Sequence, residues 1–176
     1  MIANLLQDSS TTITPQSLAG FRQWPRQAKE AEGYILYNAK SKTLDFFQHP
    51  IEHLDSVPRV DQFPGPQKIV GSFHSHPSGC SAHQCYYQPP SITDLQSVNK
   101  MCKNMGLCEH VIVTEGRLLA FKFERNCSVD RFTQMMERLA ELKRLNEDPE
   151  RHDAKWFSIV KDYPDVFTIK KIIVNK

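Results

Sequence analysis

The sequence predicts a mixed α/β (α+β) domain, and three observations predict it. Short apolar stretches of strand type, such as GYILY (33–37), KIVGSF (68–73) and HVIV (110–113), alternate with stretches of helical periodicity. The longest helical stretch places Phe132, Met135, Met136, Leu139, Leu142 and Leu145 at helical spacing. The chain length of 176 residues with 40% hydrophobic residues suits one core, because a chain of this size buries roughly 70% of its unfolded surface. Residues 1–176 are therefore read as one domain in which strands and helices share a small sheet.

Each element has its own local cause. Thr14 before Pro15 reads as an N-cap and first helical position. The helix that follows carries Leu18, Phe21 and Trp24 and meets Pro25. Residues 30–37 and 43–47 read as two strands joined by a turn at 38–42, and the proline-rich residues 48–67 as a long connection. The strand at 68–73 runs into His74-Ser75-His76-Pro77. Residues 78–90 cannot be regular structure throughout, and a loop of this length is uncommon without a role. Ser91 with Asp94 three residues on opens a helix that Gly106 closes. Residues 110–123 read as a hairpin turning at Glu115-Gly116. The methionine-bearing helix follows, then a polar break NEDPERHD, a short helix around Trp156 and a last strand over 166–174. The methionine stripe is read as core.

Composition excludes several function classes. A net charge of +2 is too small to argue for nucleic acid or an anionic membrane. No stretch approaches the ~20 apolar residues of a membrane span. The first residues, MIANLLQDSSTT, lack the basic start and apolar block of an export signal. A cytoplasmic setting follows as the expectation, and with it reduced thiols at Cys80, Cys85, Cys102, Cys108 and Cys127.

The chemistry concentrates after the third strand. Side chains alternate along a strand, so His74 and His76 leave one face together and both can reach one zinc ion. Ser91-Ile92-Thr93-Asp94 puts a carboxylate in the first turn of a helix, from where it can complete a His-His-Asp set. Three protein ligands leave a position for water, the arrangement of a catalytic rather than a structural zinc. A zinc-activated water also needs a carboxylate to take its proton. Glu30 and Glu32 precede the strand GYILY and share a face, so alternation does not choose between them.

The order of these parts, an acid, a strand, His-Ser-His-Pro and then Ser-x-x-Asp, resembles the signature of the JAMM (MPN-plus, Mov34/PAD-1, JAB domain) zinc metalloproteases. The resemblance covers about residues 15–125, with the C-terminal elements over 129–174 outside it. It implies a cytidine-deaminase-like α-β-α sandwich. It implies His74, His76 and Asp94 as zinc ligands and Ser91 as the donor to a developing oxyanion or to the attacking water. Its spacing from Gly33 implies Glu30 as the general base, with Glu32 in reserve. It implies an isopeptidase or peptidase that removes ubiquitin or a ubiquitin-like modifier by direct water attack, with a regulatory partner subunit as a further expectation. The alternative within the family is a catalytically silent scaffold. Two departures stand out: thirteen residues separate Pro77 from Ser91, longer than the family's usual spacer, and Tyr34 stands where a second glycine is common.

The enlarged loop holds Cys80, His83 and Cys85. A second zinc site there, completed by Cys102, Cys108 or His110, is one reading. A Cys80–Cys85 redox pair and a loop with free thiols are the others. Tyr86 and Tyr87 could line a groove for an extended substrate tail or pack the loop down. His49, His53, His110 and His152 have no motif around them. The signatures of zinc deaminases and of His-Glu-x-x-His proteases are absent, and no cysteine has a nucleophile context.

Overall fold

The computed structural model describes residues 2–27, 30–48, 66–76, 89–114, 117–145 and 149–173. Seven strands form one mixed sheet: β1 (Thr12–Ile13), β2 (Glu32–Asn38), β3 (Thr43–Gln48), β4 (Gln67–Ser75), β5 (Glu109–Thr114), β6 (Arg117–Phe123) and β7 (Phe167–Ile173). Their order across the sheet is β1-β3-β2-β4-β5-β6-β7. β1–β3 and β4–β5 are parallel and the other pairs antiparallel. The described helices are α1 (Ile2–Gln7), α2 (Pro15–Gln23), α3 (Ile92–Met105), α4 (Val129–Arg144) and α5 (Pro149–Lys161), with a 3-10 turn at Trp24–Arg26. The parallel β4–β5 pair needs a crossover, and α3 lies within it.

Alternation along the strands divides the core between two faces. Phe46, Phe73, Val111, Val113, Leu118 and Ala120 point to the face that packs Ile2, Ala3, Phe21 and Trp24. Ile112, Leu119, Phe121, Phe123 and Phe167 point to the other, under Leu95 and Val98 of α3, the methionine helix α4, and Trp156 and Val160 of α5. Met135 and Met136 are buried, as the helical stripe predicts. Truncating such a buried methionine to alanine is expected to cost roughly 2–5 kcal/mol. No helix among the described residues is long and apolar enough to cross a membrane.

β4 sits between β2 and β5, so its C-terminal end is held from both sides. The β2–β4 register shifts between Ile35 and Leu36, and past that shift Tyr34 pairs with Ser72 and Glu32 with His74. Gly33 is required where it stands, since a Cβ there would collide with the carbonyl oxygen of Phe47 on β3. Gly106 ends α3 at φ 73°, the left-handed conformation that glycine adopts without a Cβ penalty.

Several local expectations change. α1 and β1 lie in a segment without a clear sequence signal. A six-residue helix has little stability of its own. It is held by burial of Ile2 and Ala3 and by the Ile2 backbone N–H on the Glu109 carboxylate. The polar break at NEDPERHD is shorter than expected, because Pro149 begins α5, the position where a missing N–H costs nothing. Leu145 ends the α4 stripe exposed, since it is the C-cap and the helix stops before turning it inward. The expectation of reduced thiols fails at one pair: Cys102 and Cys108 form a disulfide, with Cα atoms 4.1 Å apart. The turn through Gly106 folds Cys108 back onto the last turn of α3, which brings the sulfurs together. Cys127 is free and half-buried. Pro77, the loop residues Cys80, His83, Cys85, Tyr86 and Tyr87, and His49 and His53 lie outside the described residues.

Candidate metal centre

β4 delivers two imidazoles. His74 is its penultimate residue, and His76 follows its end, with the His76 N–H donating to the Val113 carbonyl on β5 at 3.0 Å. Their Nε2 atoms face each other at 2.9 Å. α3 delivers the third group. Ser91 is its N-cap: the Ser91 Oγ accepts from the Asp94 N–H at 3.1 Å, and the Asp94 Oδ2 accepts from the Ser91 N–H at 2.7 Å. This reciprocal box holds the carboxylate on the side of the helix end that faces β4. The Asp94 Oδ2 lies 3.7 Å from the His74 Nε2 and 3.8 Å from the His76 Nε2. The donor atoms of His74, His76 and Asp94 all lie within 4.8 Å of one another.

These separations fit a metal ion. Four ligands about 2.0–2.1 Å from a tetrahedral zinc stand about 3.4 Å apart. The observed 2.9, 3.7 and 3.8 Å bracket that value. Two imidazole nitrogens and one carboxylate oxygen are also the donor types that zinc takes in three-ligand sites. The residues present could therefore hold a metal ion.

Electrostatics keeps His74 and Asp94 in ligating form. Burial pushes His74 down to about 4; the Asp94 charge opposes this and His76 adds to it. Burial alone would raise the Asp94 carboxyl, but the nearby imidazoles of His76 and His74 and the Ser91 N–H that donates to the carboxylate outweigh it. They hold the carboxyl well below the usual carboxylate range. Near neutral pH, the buried imidazole His74 is neutral and Asp94 is ionised, as metal ligation requires.

Behind His74 stands a group that sequence reasoning missed. His110 on β5 pairs with Ser72 on β4 across the parallel register. Its Nε2 lies 2.6 Å from the His74 Nδ1, and its Nδ1 lies 2.7 Å from the Ser72 Oγ. Ser72 and His110 are buried, and burial pushes the His110 imidazole well below its ordinary range, with His74 adding to the effect. The His76 Nδ1, in contrast, is buried with no hydrogen-bond partner among the described residues. His110 and Ser72 are 38 residues apart, and only the β4–β5 pairing brings them together. The local pattern HVIV signals a strand and nothing more.

His110 is thus committed to His74 and Ser72, and Cys102 and Cys108 to each other. These three, the residues expected to complete a second zinc site at Cys80, His83 and Cys85, have other partners in this structure. Cys80, His83 and Cys85 themselves lie outside the described residues.

Of the two candidate bases, Glu32 opens the neighbouring strand β2 and Glu30 lies two residues before it. Glu32 pairs with His74 and is half-buried. The Ser75 N–H donates to the Ala31 carbonyl at 2.7 Å and the Ala31 N–H to the Ser75 Oγ at 2.8 Å. Glu30 precedes Ala31 and is exposed. Glu32 is thus placed opposite His74 by the β2–β4 register, while Glu30 lies just before β2. No protein-family model matches this chain, and no curated protein matches it.

Proposed function

We propose that this chain is a zinc-dependent peptidase or isopeptidase of the JAMM type, with the JAMM fold, that removes ubiquitin or a ubiquitin-like modifier from conjugates. The observation that carries this reading is the convergence of His74, His76 and Asp94, at 2.9–3.8 Å, from a strand end and a helix cap. The order of acid, His-Ser-His-Pro and Ser-x-x-Asp along the chain supports it independently.

In this reading His74, His76 and Asp94 would hold the zinc. A zinc bound there supplies Lewis-acid polarisation of the scissile carbonyl and a water of lowered pKa. The protein's own groups do the rest. Glu30 takes the proton of the attacking water on its carboxylate and returns it to the leaving amine, a transfer typically worth 10²–10⁴-fold. Glu32, across from His74, is the alternative holder of that role. Ser91 accepts the Asp94 N–H, which leaves its own O–H to donate to the carbonyl oxygen as charge develops. The capping box therefore serves twice, orienting a ligand through Asp94 and presenting a donor through Ser91.

The test is cleavage of ubiquitin and ubiquitin-like fusions or isopeptide conjugates by zinc-loaded protein, with Glu30→Gln and Glu32→Gln beside the wild type. Glu30→Gln is expected to keep zinc and lose turnover by about 10²-fold or more. Loss in Glu32→Gln alone would move the base to Glu32. Zinc binding without cleavage of any such substrate would overturn the peptidase reading in favour of a binding module.

A further inference from the structure

For the His74 Nε2 to offer its lone pair to a metal, the neutral ring must carry its single hydrogen on Nδ1. That Nδ1 faces the His110 Nε2 at 2.6 Å, inside the sheet. Two neutral imidazoles can share such a contact only if one donates and the other accepts. With His74 donating, the His110 Nε2 must be bare, so the His110 hydrogen sits on Nδ1. There it meets the Ser72 Oγ at 2.7 Å, and a hydroxyl oxygen can accept it. The chain runs in one direction: His74 Nδ1–H to His110 Nε2, then His110 Nδ1–H to Ser72 Oγ. In the reverse direction Ser72 donates to His110, His110 donates to His74, and the His74 hydrogen lies on Nε2, where it faces His76 and blocks ligation. Each ring keeps one hydrogen in either direction, so the two arrangements balance without taking up or releasing a proton.

We propose that His110, anchored by Ser72, is the positioning residue of the metal centre: it accepts the Nδ1 hydrogen of His74, fixes the ring tautomer and orientation, and leaves the His74 Nε2 lone pair for the metal. This rests on the reading of His74, His76 and Asp94 as a metal site. His110 touches neither metal nor substrate. Its place is fixed by the β4–β5 register that pairs it with Ser72, and by Phe121, whose ring centroid lies 5.1 Å from its own. Partners of this kind behind a ligating histidine typically change metal affinity 10–100-fold when removed.

Zinc affinity is measured by competition with a chromophoric chelator for the wild type, His110→Phe and His110→Gln, each checked for folding by circular dichroism. His110→Phe keeps a ring in the core but cannot accept a hydrogen bond, and is expected to bind zinc about 10–100-fold more weakly. His110→Gln packs less well, yet its Oε1 can accept from His74, and is expected to recover most of that loss. Such rescue separates hydrogen bonding from packing. An affinity of His110→Phe within about two-fold of the wild type would overturn the proposal while leaving the metal site standing. Wild type that binds no zinc would overturn the metal reading itself, and the positioning role with it. Ring-nitrogen NMR of zinc-loaded wild type decides the matter even if the variants do not fold. The expected spectrum shows neutral His110 with hydrogen on Nδ1, and hydrogen on the His110 Nε2 would overturn the proposal.

Discussion

The strand side and the helix side of the candidate metal centre are built by different means. On the strand side, His74 is buried in the middle of the sheet, paired with Glu32 on β2 and with Ile112 on β5, and backed by His110 and Ser72. Its position depends on residues far away in sequence. On the helix side, Asp94 is placed by a four-residue box at the N-terminus of α3, with Leu95, Val98 and Cys102 seating the helix on the sheet. Its position depends on neighbours in sequence. A metal bridging the two therefore ties a tertiary device to a local one, and substitutions on the two sides should fail differently.

The largest expected effect is on the strand side. His74→Ala removes a ligand and also leaves the His110 Nε2 buried without its partner. Zinc affinity should fall by more than about 100-fold, beyond the range of outer partners. The metal-free protein should also lose roughly 1–3 kcal/mol from the orphaned nitrogen, readable by urea denaturation. A variant that loses zinc but not stability would show that the backing of His74 is not held by that bond.

Acid should strike the same side. The folded-state value of His74 lies at about 4, below its ordinary 6.5, so between these values the unfolded chain binds a proton that the folded chain does not. Stability then rises with pH across this window, and the metal-free protein should lose about 3 kcal/mol as pH falls from 6.5 to 4. His110 is lowered too and acts in the same direction. Asp94 is held below the ordinary carboxylate range, so its share is lost only at still lower pH. Urea midpoints measured across this window check the slope, and a flat profile would contradict a buried neutral His74.

The helix side should respond more mildly. Ser91→Ala removes the cap oxygen and costs about 1 kcal/mol of stability. Zinc binding should weaken with it, because the Asp94 N–H no longer holds the box closed. Ser91→Asn restores a cap acceptor but not the hydroxyl, so it should recover stability and leave turnover low. Equal recovery of both would remove Ser91 from the chemistry.

The same contrast explains what was legible in the sequence. His74, His76, Ser91 and Asp94 were readable because each is set by a local rule: strand alternation for the first pair and a helix cap for the second. The helices at Thr14-Pro15 and Ser91 and the strands β2 to β7 were readable for the same reason. Ser72 and His110 were not, because a parallel pairing across a helical crossover leaves no periodic trace between residues 38 apart. The Cys102–Cys108 bond depended on the left-handed turn at Gly106, where the glycine marked the helix end but not the return of the chain onto it. α1 was hidden because burial, not propensity, holds it. Strand alternation did not separate Glu30 from Glu32, and in the fold only Glu32 enters β2, opposite His74.

The measurement that tests the central claim most directly is zinc per chain, by elemental analysis of protein purified without added metal or chelator, with His76→Ala alongside. His76 is the informative candidate ligand to remove, because its Nδ1 has no hydrogen-bond partner among the described residues and its loss leaves the His74–His110–Ser72 chain intact. About one zinc per wild-type chain, lost in a His76→Ala protein that remains folded, is the result expected of a site held by His74, His76 and Asp94. No zinc in the wild type, even after zinc is added back, would contradict it.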